Sequence, residues 1–407
     1  MLLFTIVIKI VFLLLIFCSK YTLKINFNKH YLLTFSYVHG IIMSIFSRIN
    51  KNKHKNDSAN IGSPNWMVLT QWLIESLSIE PEWRVNGNNT MTWWGGPLPT
   101  TISSTARYTG GDGIQRDVID VRAMLGNLKP GYDKAALLKV LHEWNRCRGV
   151  GVVYLTDQDE VIISSGLNYS SSHNFGNYMI LSHLLYIASW SHLLASELGE
   201  KFEFHMPDVA HPESGLRYDF DELTGNIIKN IFTPISYISE FTPEQYLEKL
   251  NPLLSQYNIT NLELVKDDTK HLSILGNNES EPYIGVSIEV TLNGEGQGPG
   301  LHIYASTGLR FPIEGVDFWR IVLNVYTKEL SNFISDAPGQ FQSSIVTWSD
   351  SGEFEPVLYS FFPSIVLSGT RGIEKSAEVV AYLSGLLSFQ AIKVRNDLLT
   401  LINGRES

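Results

Sequence analysis

The hydrophobic positions along the chain change from a helical period of 3.6 residues to an extended pattern and back, and this succession occurs twice. The first succession begins at Ser63 and Pro64, a typical helix start because a capping hydroxyl precedes a proline at the first helical position. The second begins at Thr242 and Pro243, where Gln245 adds the reciprocal partner of a capping box. The two starts are 179 residues apart (242 − 63).

Three extended segments follow each helix start and predict a three-strand meander. A second helix, a hairpin signal and a long apolar helix then complete each succession. The hairpins are predicted to turn at 157–159 and at 350–352, where short polar runs separate extended segments. The predicted meander strands are 83–94, 100–108 and 117–125 in the first half, and 261–275, 283–292 and 301–311 in the second.

The repeated order of helix, three strands, helix, two strands and helix predicts an α+β fold. In this fold, two tandem copies each carry an antiparallel sheet with helices packed on one face. Within the first helix of the second copy, Pro252 predicts a kink or an early end. The predicted divisions are an apolar basic leader at 1–50, a linker at 51–62, the first domain at 63–200, a connector at 201–240 and the second domain at 241–402.

The leader has two open interpretations. Residues 2–18 form an apolar run interrupted only by Thr5 and Lys9, at the lower length limit for crossing a bilayer. The basic residues after the run would then keep the following body in the cytoplasm. Residues 1–42 lack Ala, Pro, Asp and Glu, which is typical of translated upstream DNA and favours a start at Met43. Hydropathy alone does not separate an anchor from an over-extended start.

Charge and composition exclude several classes of protein. The chain of 407 residues has 31 basic and 41 acidic residues, but 1–55 hold eight basic residues and no acid, so the remainder has 23 against 41, a charge of −18. Such a body repels phosphate backbones, which argues against nucleic acid as a partner. The hydrophobic content of 44% excludes general disorder, and two cysteines exclude a disulfide framework.

The chain contains nine tryptophans, and two of them are adjacent. Successive residues of a strand point to opposite faces, so one ring of the pair is free to face the core and the other to face outward. Two interpretations remain open: both rings fill the space between sheet and helix, or one helps to form a docking surface for a partner. The predicted partner-binding residues are Trp93, Trp94, Pro97 and Leu98.

Two segments raise the alternative of a metal- or small-molecule-dependent enzyme. In the connector, His205, Asp208, His211 and Glu213 have ligand chemistry and loop spacing, although acidic, proline-containing loops also collect such residues without a metal. The glycines at 294–300 suggest a phosphate cradle, but the residues after them alternate like a strand, whereas a phosphate loop needs a helix N-terminus. For nucleophilic catalysis, the sequence contains no Gly-x-Ser-x-Gly elbow.

The succession of elements resembles the secretion-chaperone-like fold of class I type III secretion chaperones and the bacterial YbjN family, in the tandem form called TY-Chap domains. The resemblance spans about 63–401. The matching features are the helix start at Ser63 and Pro64, the 93–99 segment, the 152–163 hairpin and the closing helix from Asn177.

This resemblance implies a non-enzymatic chaperone-like or adaptor protein, without catalytic residues or cofactors. It also implies that sheet and helix surfaces bind a protein or peptide partner, often as a homodimer, and that this partner is a secreted or toxin-like effector. We expect a cytoplasmic body, with membrane contact only if 2–18 is an anchor.

Overall fold

The computed structural model of the chain describes residues 63–403, except for 111–112, 149–150, 172–173, 206–208, 232–242, 267–270, 292–299, 332–343, 351 and 364–372. The predicted leader and linker therefore lie outside the described residues. Residues 61–407 form one compact unit that contains both predicted copies. Buried apolar residues of the two copies belong to one continuous core.

The predicted helices and the two hairpins occur in the predicted order. The described helices are α1 (Pro64–Leu77), α2 (Lys134–Arg148), α3 (Asn174–Lys201), α4 (Glu222–Ile231), α5 (Pro243–Ser255), α6 (Val316–Ser331) and α7 (Ile373–Asn403). The strands of the first copy are β1 (Arg84–Asn86), β2 (Thr90–Trp93), β3 (Thr100–Thr109), β4 (Gln115–Leu128), β5 (Val152–Leu155), β6 (Glu160–Tyr169) and β7 (Phe204–His205). Those of the second are β8 (Ile259–Lys266), β9 (His271–Asn278), β10 (Gly285–Thr291), β11 (Gly300–Ser306), β12 (Phe311–Pro312), β13 (Ser344–Asp350) and β14 (Glu353–Pro363).

The described strands form two antiparallel sheets of seven strands, which confirms the α+β prediction. The first sheet has the order β1-β2-β3-β4-β6-β5, with β7 paired to β4. The second has the order β8-β9-β10-β11-β14-β13, with β12 paired to β14. The two copies therefore share one order of six strands. Helices α1 and α3 contact the first sheet, and α5 and α7 contact the second.

The prediction of a three-strand meander is wrong by one strand in each copy. The first extended segment of each copy folds back on itself, so that 83–94 contains β1 and β2, and 261–275 divides between β8 and β9. In the first copy, a turn inside the segment accounts for the error, because Gly87-Asn88-Asn89 interrupts an otherwise extended pattern. The Gly87 amide donates to the Thr90 carbonyl at 2.8 Å and closes this turn.

Apolar residues at helical spacing are buried along α1, α2 and α3, whereas Trp319, Val322 and Tyr326 of α6 are half-buried. At the start of α1, Ser63 Oγ accepts a hydrogen bond from the Trp66 amide at 2.9 Å, as the capping signal predicts. The prediction that Pro252 ends the helix early is wrong, because α5 continues to Ser255, and the alternative of a kink stays a prediction. A proline inside a helix removes one hydrogen bond and crowds the carbonyl of the preceding turn, but the full burial of Leu250 and Leu254 stabilises the helix around it.

One described stretch, 179–201 of α3, has the length and hydropathy of a membrane span. However, 78% of its most apolar window is buried inside the protein. The face predicted for this helix packs against the first sheet, as in the core helix of a folded body. The buried residues of that face are Ile180, Leu184, Ile187, Leu194 and Leu198.

Among the described residues of the first copy, two histidines are buried. His183 of α3 contacts Ser165 of β6 through its Nδ1, and both side chains are inaccessible, so this pair has no route to a substrate. Burial lowers the pKa of His183 to about 3. Burial also lowers the pKa of His142 in α2 to about 4; a hydrogen bond with the main chain of Arg320 opposes this shift, and the charge of Arg320 adds to it. Both imidazoles are therefore neutral at pH 7.

We expect acid to destabilise the protein below about pH 6.5, the ordinary pKa of histidine. Between that pH and the lowered pKa values, the unfolded chain binds protons that buried His142 and His183 exclude, so the free energy of unfolding falls with pH. Urea unfolding at pH 7.5, 6 and 5 checks this. The variant His142→Gln should lose less stability than the wild type over the same range, and an equal loss would contradict the assignment.

Candidate functional site: the tryptophan site

The structure brings two sets of residues that the sequence analysis singled out to one end of the first sheet. Strand β2 ends at Trp93, and the chain then turns through Trp94, Gly95 and Gly96. The connector segment 209–221 lies against this turn. We call the resulting cluster the tryptophan site and define it by Trp83, Trp94, Gly96, His211, Arg217 and Phe220.

The two adjacent tryptophans have different surroundings. Trp93 is 1% exposed and belongs to the main core, together with Leu98. Trp94 is 7% exposed but lies outside that core, and Pro97 is half-buried. The outward ring that strand alternation predicts is thus covered by the chain itself. None of the predicted partner-binding residues presents an exposed ring while the connector is in place.

Trp94 uses its ring and its main chain to hold the connector. Its indole Nε1 donates a hydrogen bond to the Val209 carbonyl at 2.7 Å. The His211 ring packs edge-on against the indole, with the centroids 4.8 Å apart and an interplanar angle of 80°. The Trp94 carbonyl accepts a hydrogen bond from Arg217 Nη1 at 2.7 Å. Trp94, which directly follows β2, is therefore contacted by three connector residues, Val209, His211 and Arg217.

Arg217 is the cationic group of the site. Its guanidinium lies 4.7 Å from the centroid of the Trp83 ring, a cation–π geometry. Its Nη2 lies 3.2 Å from the Glu80 carboxylate and 3.8 Å from that of Asp221. The side chain of Arg217 is only 11% exposed, which strengthens its contacts with both the ring and the carboxylates.

Close packing at the turn requires glycine. A Cβ atom on Gly96 would lie 2.5 Å from the Phe220 ring, and one on Gly95 would overlap the Trp93 ring. Without side chains at these positions, Phe220 can approach the main chain of the turn directly. Ser214 Oγ adds a hydrogen bond to the Glu82 carbonyl at 2.6 Å. The connector is therefore fastened along its length and not at one point.

His211 belongs to a tight turn of the connector. Its Nδ1 accepts hydrogen bonds from the amides of Glu213 and Ser214, at 3.2 and 3.1 Å. This pattern assigns the proton to Nε2 and leaves no lone pair on Nδ1 for a metal. Two main-chain hydrogen bonds between His211 and Gly215, at 2.7 and 3.0 Å, close the turn, and Gly215 has a φ of +79° that favours glycine.

The predicted metal ligands do not converge where the structure describes them. His205 is exposed on β7, in register with Asn127 of β4, while Glu213 is exposed and His211 is buried. Asp208 lies outside the described residues. Among the described histidines, cysteines and acids, no group of three is placed to hold a metal ion.

The second segment of the enzyme alternative, the glycine loop at 294–300, lies outside the described residues except for Gly300. This residue begins β11, so the glycines lead into a strand, as predicted.

The carboxylates Asp117 and Asp120 are three residues apart on β4, and alternation along the strand therefore places them on opposite faces. Asp117 is fully buried and accepts from the Ser63 hydroxyl at the start of α1. Arg107 Nε approaches Asp117 at 3.2 Å. Asp120 pairs instead with Arg122, and burial raises its pKa. These carboxylates therefore stabilise the fold and are not placed for joint acid–base catalysis.

Three residues of the tryptophan site were missed in the sequence: Trp83, Arg217 and Phe220. Trp83 ends a one-turn 3-10 helix before β1, while Arg217 and Phe220 lie in an irregular segment without hydrophobic periodicity. The only local signal was the pair of glycines after Trp94, which indicates close approach by another group. No protein-family model matches the chain, and no curated protein or solved structure matches it either.

We expect Gly96→Ala to loosen the connector, because its Cβ would overlap the Phe220 ring. Overpacking of this kind typically costs about 1–3 kcal/mol. Hydrogen exchange of the amides at 209–221 should become faster, and urea unfolding should show the loss of stability. Gly199→Ala is the matched control, since a Cβ there meets nothing within 4 Å. Equal exchange rates in the two variants would contradict a close contact at Gly96.

Proposed function

We propose that the protein is a non-enzymatic, chaperone-like or adaptor protein that binds a segment of a protein partner. The tryptophan site is the observation that supports this function. Its sheet side offers the Trp83 and Trp94 rings, the Trp94 carbonyl and the open surface of Gly96, and these hold an irregular stretch of polypeptide through its Arg217 and Phe220. Tryptophan and arginine are the residues that most often dominate binding energy at protein interfaces. The site therefore has the chemistry of a peptide-binding surface, with the connector as its present occupant.

A partner segment would occupy the site in place of the connector. The two ends of the connector have anchors of their own, because β7 pairs with β4 and α4 contacts α3. Segment 209–221 is the part that would leave as a loop. The segment that replaces it would present a carbonyl to Trp94 Nε1, a cationic side chain to the Trp83 face and a ring to Gly96.

The charges around the site favour a partner segment with a basic residue. Glu80 lies beside the position of Arg217 and stays in place when segment 209–221 leaves, and the body carries a net charge of −18 outside 1–55. This charge disfavours nucleic acid and suits a basic, aromatic-containing protein segment. We include in the proposal a cytoplasmic body and a secreted or toxin-like partner, as the TY-Chap resemblance implies. The enzyme alternative gains no support from the described histidines and carboxylates.

A labelled peptide with the sequence of residues 207–222 tests whether the site accepts a segment in trans. The full chain with Arg217→Ala should bind it at least about tenfold more tightly than the wild type, since its own connector has lost the cation–π contact and two hydrogen-bonded contacts. Fluorescence anisotropy of the peptide measures the dissociation constant. A peptide with alanine in place of Arg217 should bind more weakly.

Two controls define the outcome. Arg310→Ala removes an arginine that is 71% exposed in the second copy and should leave peptide binding at the wild-type level. Adding Trp94→Ala to the Arg217→Ala chain should abolish binding, since the Val209 carbonyl loses its donor. If the peptide does not bind the Arg217→Ala chain, or binds it equally well without Trp94, the tryptophan site is not a segment-binding site.

A further inference from the structure

A second surface joins the two copies, and the same elements build it on both sides. Helix α2 of the first copy contacts α6 and β13 of the second, and α6 in return contacts α2 and β5. Each copy thus contributes its second helix and the first strand of its hairpin. Such reciprocity is the property of an isologous interface, the kind that joins two identical subunits around a two-fold axis.

Strand β5 lies at the edge of the first sheet, and two asparagine side chains close its free side. Asn145 of α2, in the same copy, donates to the Val153 carbonyl at 2.9 Å and accepts from the Val153 amide at 2.8 Å. Asn324 of α6, in the other copy, forms the same two bonds with Leu155, both at 3.0 Å. Alternate residues of a strand direct their main-chain groups to the same side, so the two amides replace a neighbouring strand.

Asn324 is the middle member of a polar row on α6, which we define as Arg320, Asn324 and Lys328. Residues four apart lie on one face of a helix, and this face is turned toward the first copy. Arg320 lies beside the buried His142 of α2 and hydrogen-bonds it through its main chain, while its guanidinium, 14% exposed, pairs with Asp317 of its own helix at 2.9 Å. Lys328 Nζ lies 2.8 Å from the carboxylate of Asp157 in the β5–β6 turn. The row therefore contacts three different parts of the first copy.

At the matching positions, α2 carries no equivalent of this polar row. Counted from the first residue of each helix, Leu138, His142 and Arg146 of α2 occupy the positions of Arg320, Asn324 and Lys328. Leu138 and His142 are buried, whereas Arg146 is exposed. The elements at the interface are thus symmetric, but the side chains are not. Pairing either copy with itself would lose both the contact between Asn324 and the edge of β5 and the hydrogen bond between His142 and the main chain of Arg320.

We infer that the two copies form a built-in heterodimer, in which the polar row of α6 recognises the helix and hairpin of the first copy. The row determines which copy pairs with which. Because Asn324 already closes the edge of β5, the interface is satisfied within one chain and is not open to a second chain. This inference is independent of the proposed function, since the tryptophan site lies elsewhere on the first copy.

To test the inference, a recognition site for a specific protease is inserted between residues 231 and 243 of the full-length chain. Cleavage at this site separates the chain into one fragment for each copy. The two wild-type fragments should remain together as a 1:1 complex in native mass spectrometry, without homodimers of either fragment. Asn324→Leu removes both hydrogen bonds to Leu155 across the interface and should raise the dissociation constant at least about tenfold. Asn145→Leu is the matched control, because it removes the same two bonds within the first copy and should change that constant less than about threefold.

A charge exchange provides a second test that does not disturb the core. Lys328→Glu should weaken the cut complex, and adding Asp157→Lys should restore it, because the two groups lie at the surface end of the interface. Separation of the wild-type fragments, homodimers of either fragment, or equal weakening by Asn324→Leu and Asn145→Leu would overturn the inference. If the charge exchange fails to restore binding, Lys328 does not have the role inferred for it. This experiment decides the inference if the Asn324→Leu variant does not fold.

Discussion

The free edge of β5 is the constraint on which the arrangement of the two copies depends. Main-chain amides and carbonyls at a buried strand edge need partners, since an unsatisfied buried group costs about 1–3 kcal/mol. The first copy supplies only half of them, through Asn145, and Asn324 of the second copy supplies the rest. Covering this edge places α6 beside α2 and brings the two sheets into one unit with a continuous core.

At the other end of the first sheet, the connector covers groups that would otherwise be exposed. Alternation along the chain directs the Trp94 ring away from the main core. If the ring were exposed there to solvent, it would favour aggregation or binding. The connector covers this ring and gives its N–H an acceptor, while Arg217 covers Trp83. A surface that binds a segment of its own chain in this way is well suited to bind a similar segment of another protein. The link between fold and proposed function is therefore the competition between these two occupants.

The sequence predicted the α+β class, the order of elements and the buried helix faces, because each depends on contacts between residues close together in the chain. The cap at Ser63 and the face of α3 are examples. The predicted number of strands in the meander of the first copy was wrong because a turn at Gly87 interrupts an extended segment. The prediction that α5 ends early was wrong because the burial of Leu250 and Leu254 outweighs the effect of Pro252 on the helix.

At the candidate site, the sequence by itself determined the parts, namely a tryptophan pair before two glycines and a connector with two histidines. Only the tertiary structure decided that these parts meet. The bond from Trp94 to Val209 joins residues 115 positions apart, and the bonds from Asn324 to Leu155 join residues 169 positions apart. Periodicity, capping and turn chemistry depend on residues close together in the chain, so they do not predict contacts between residues this far apart in the sequence. These contacts form because a buried ring and a strand edge must be covered by whatever segment the folded chain brings to them.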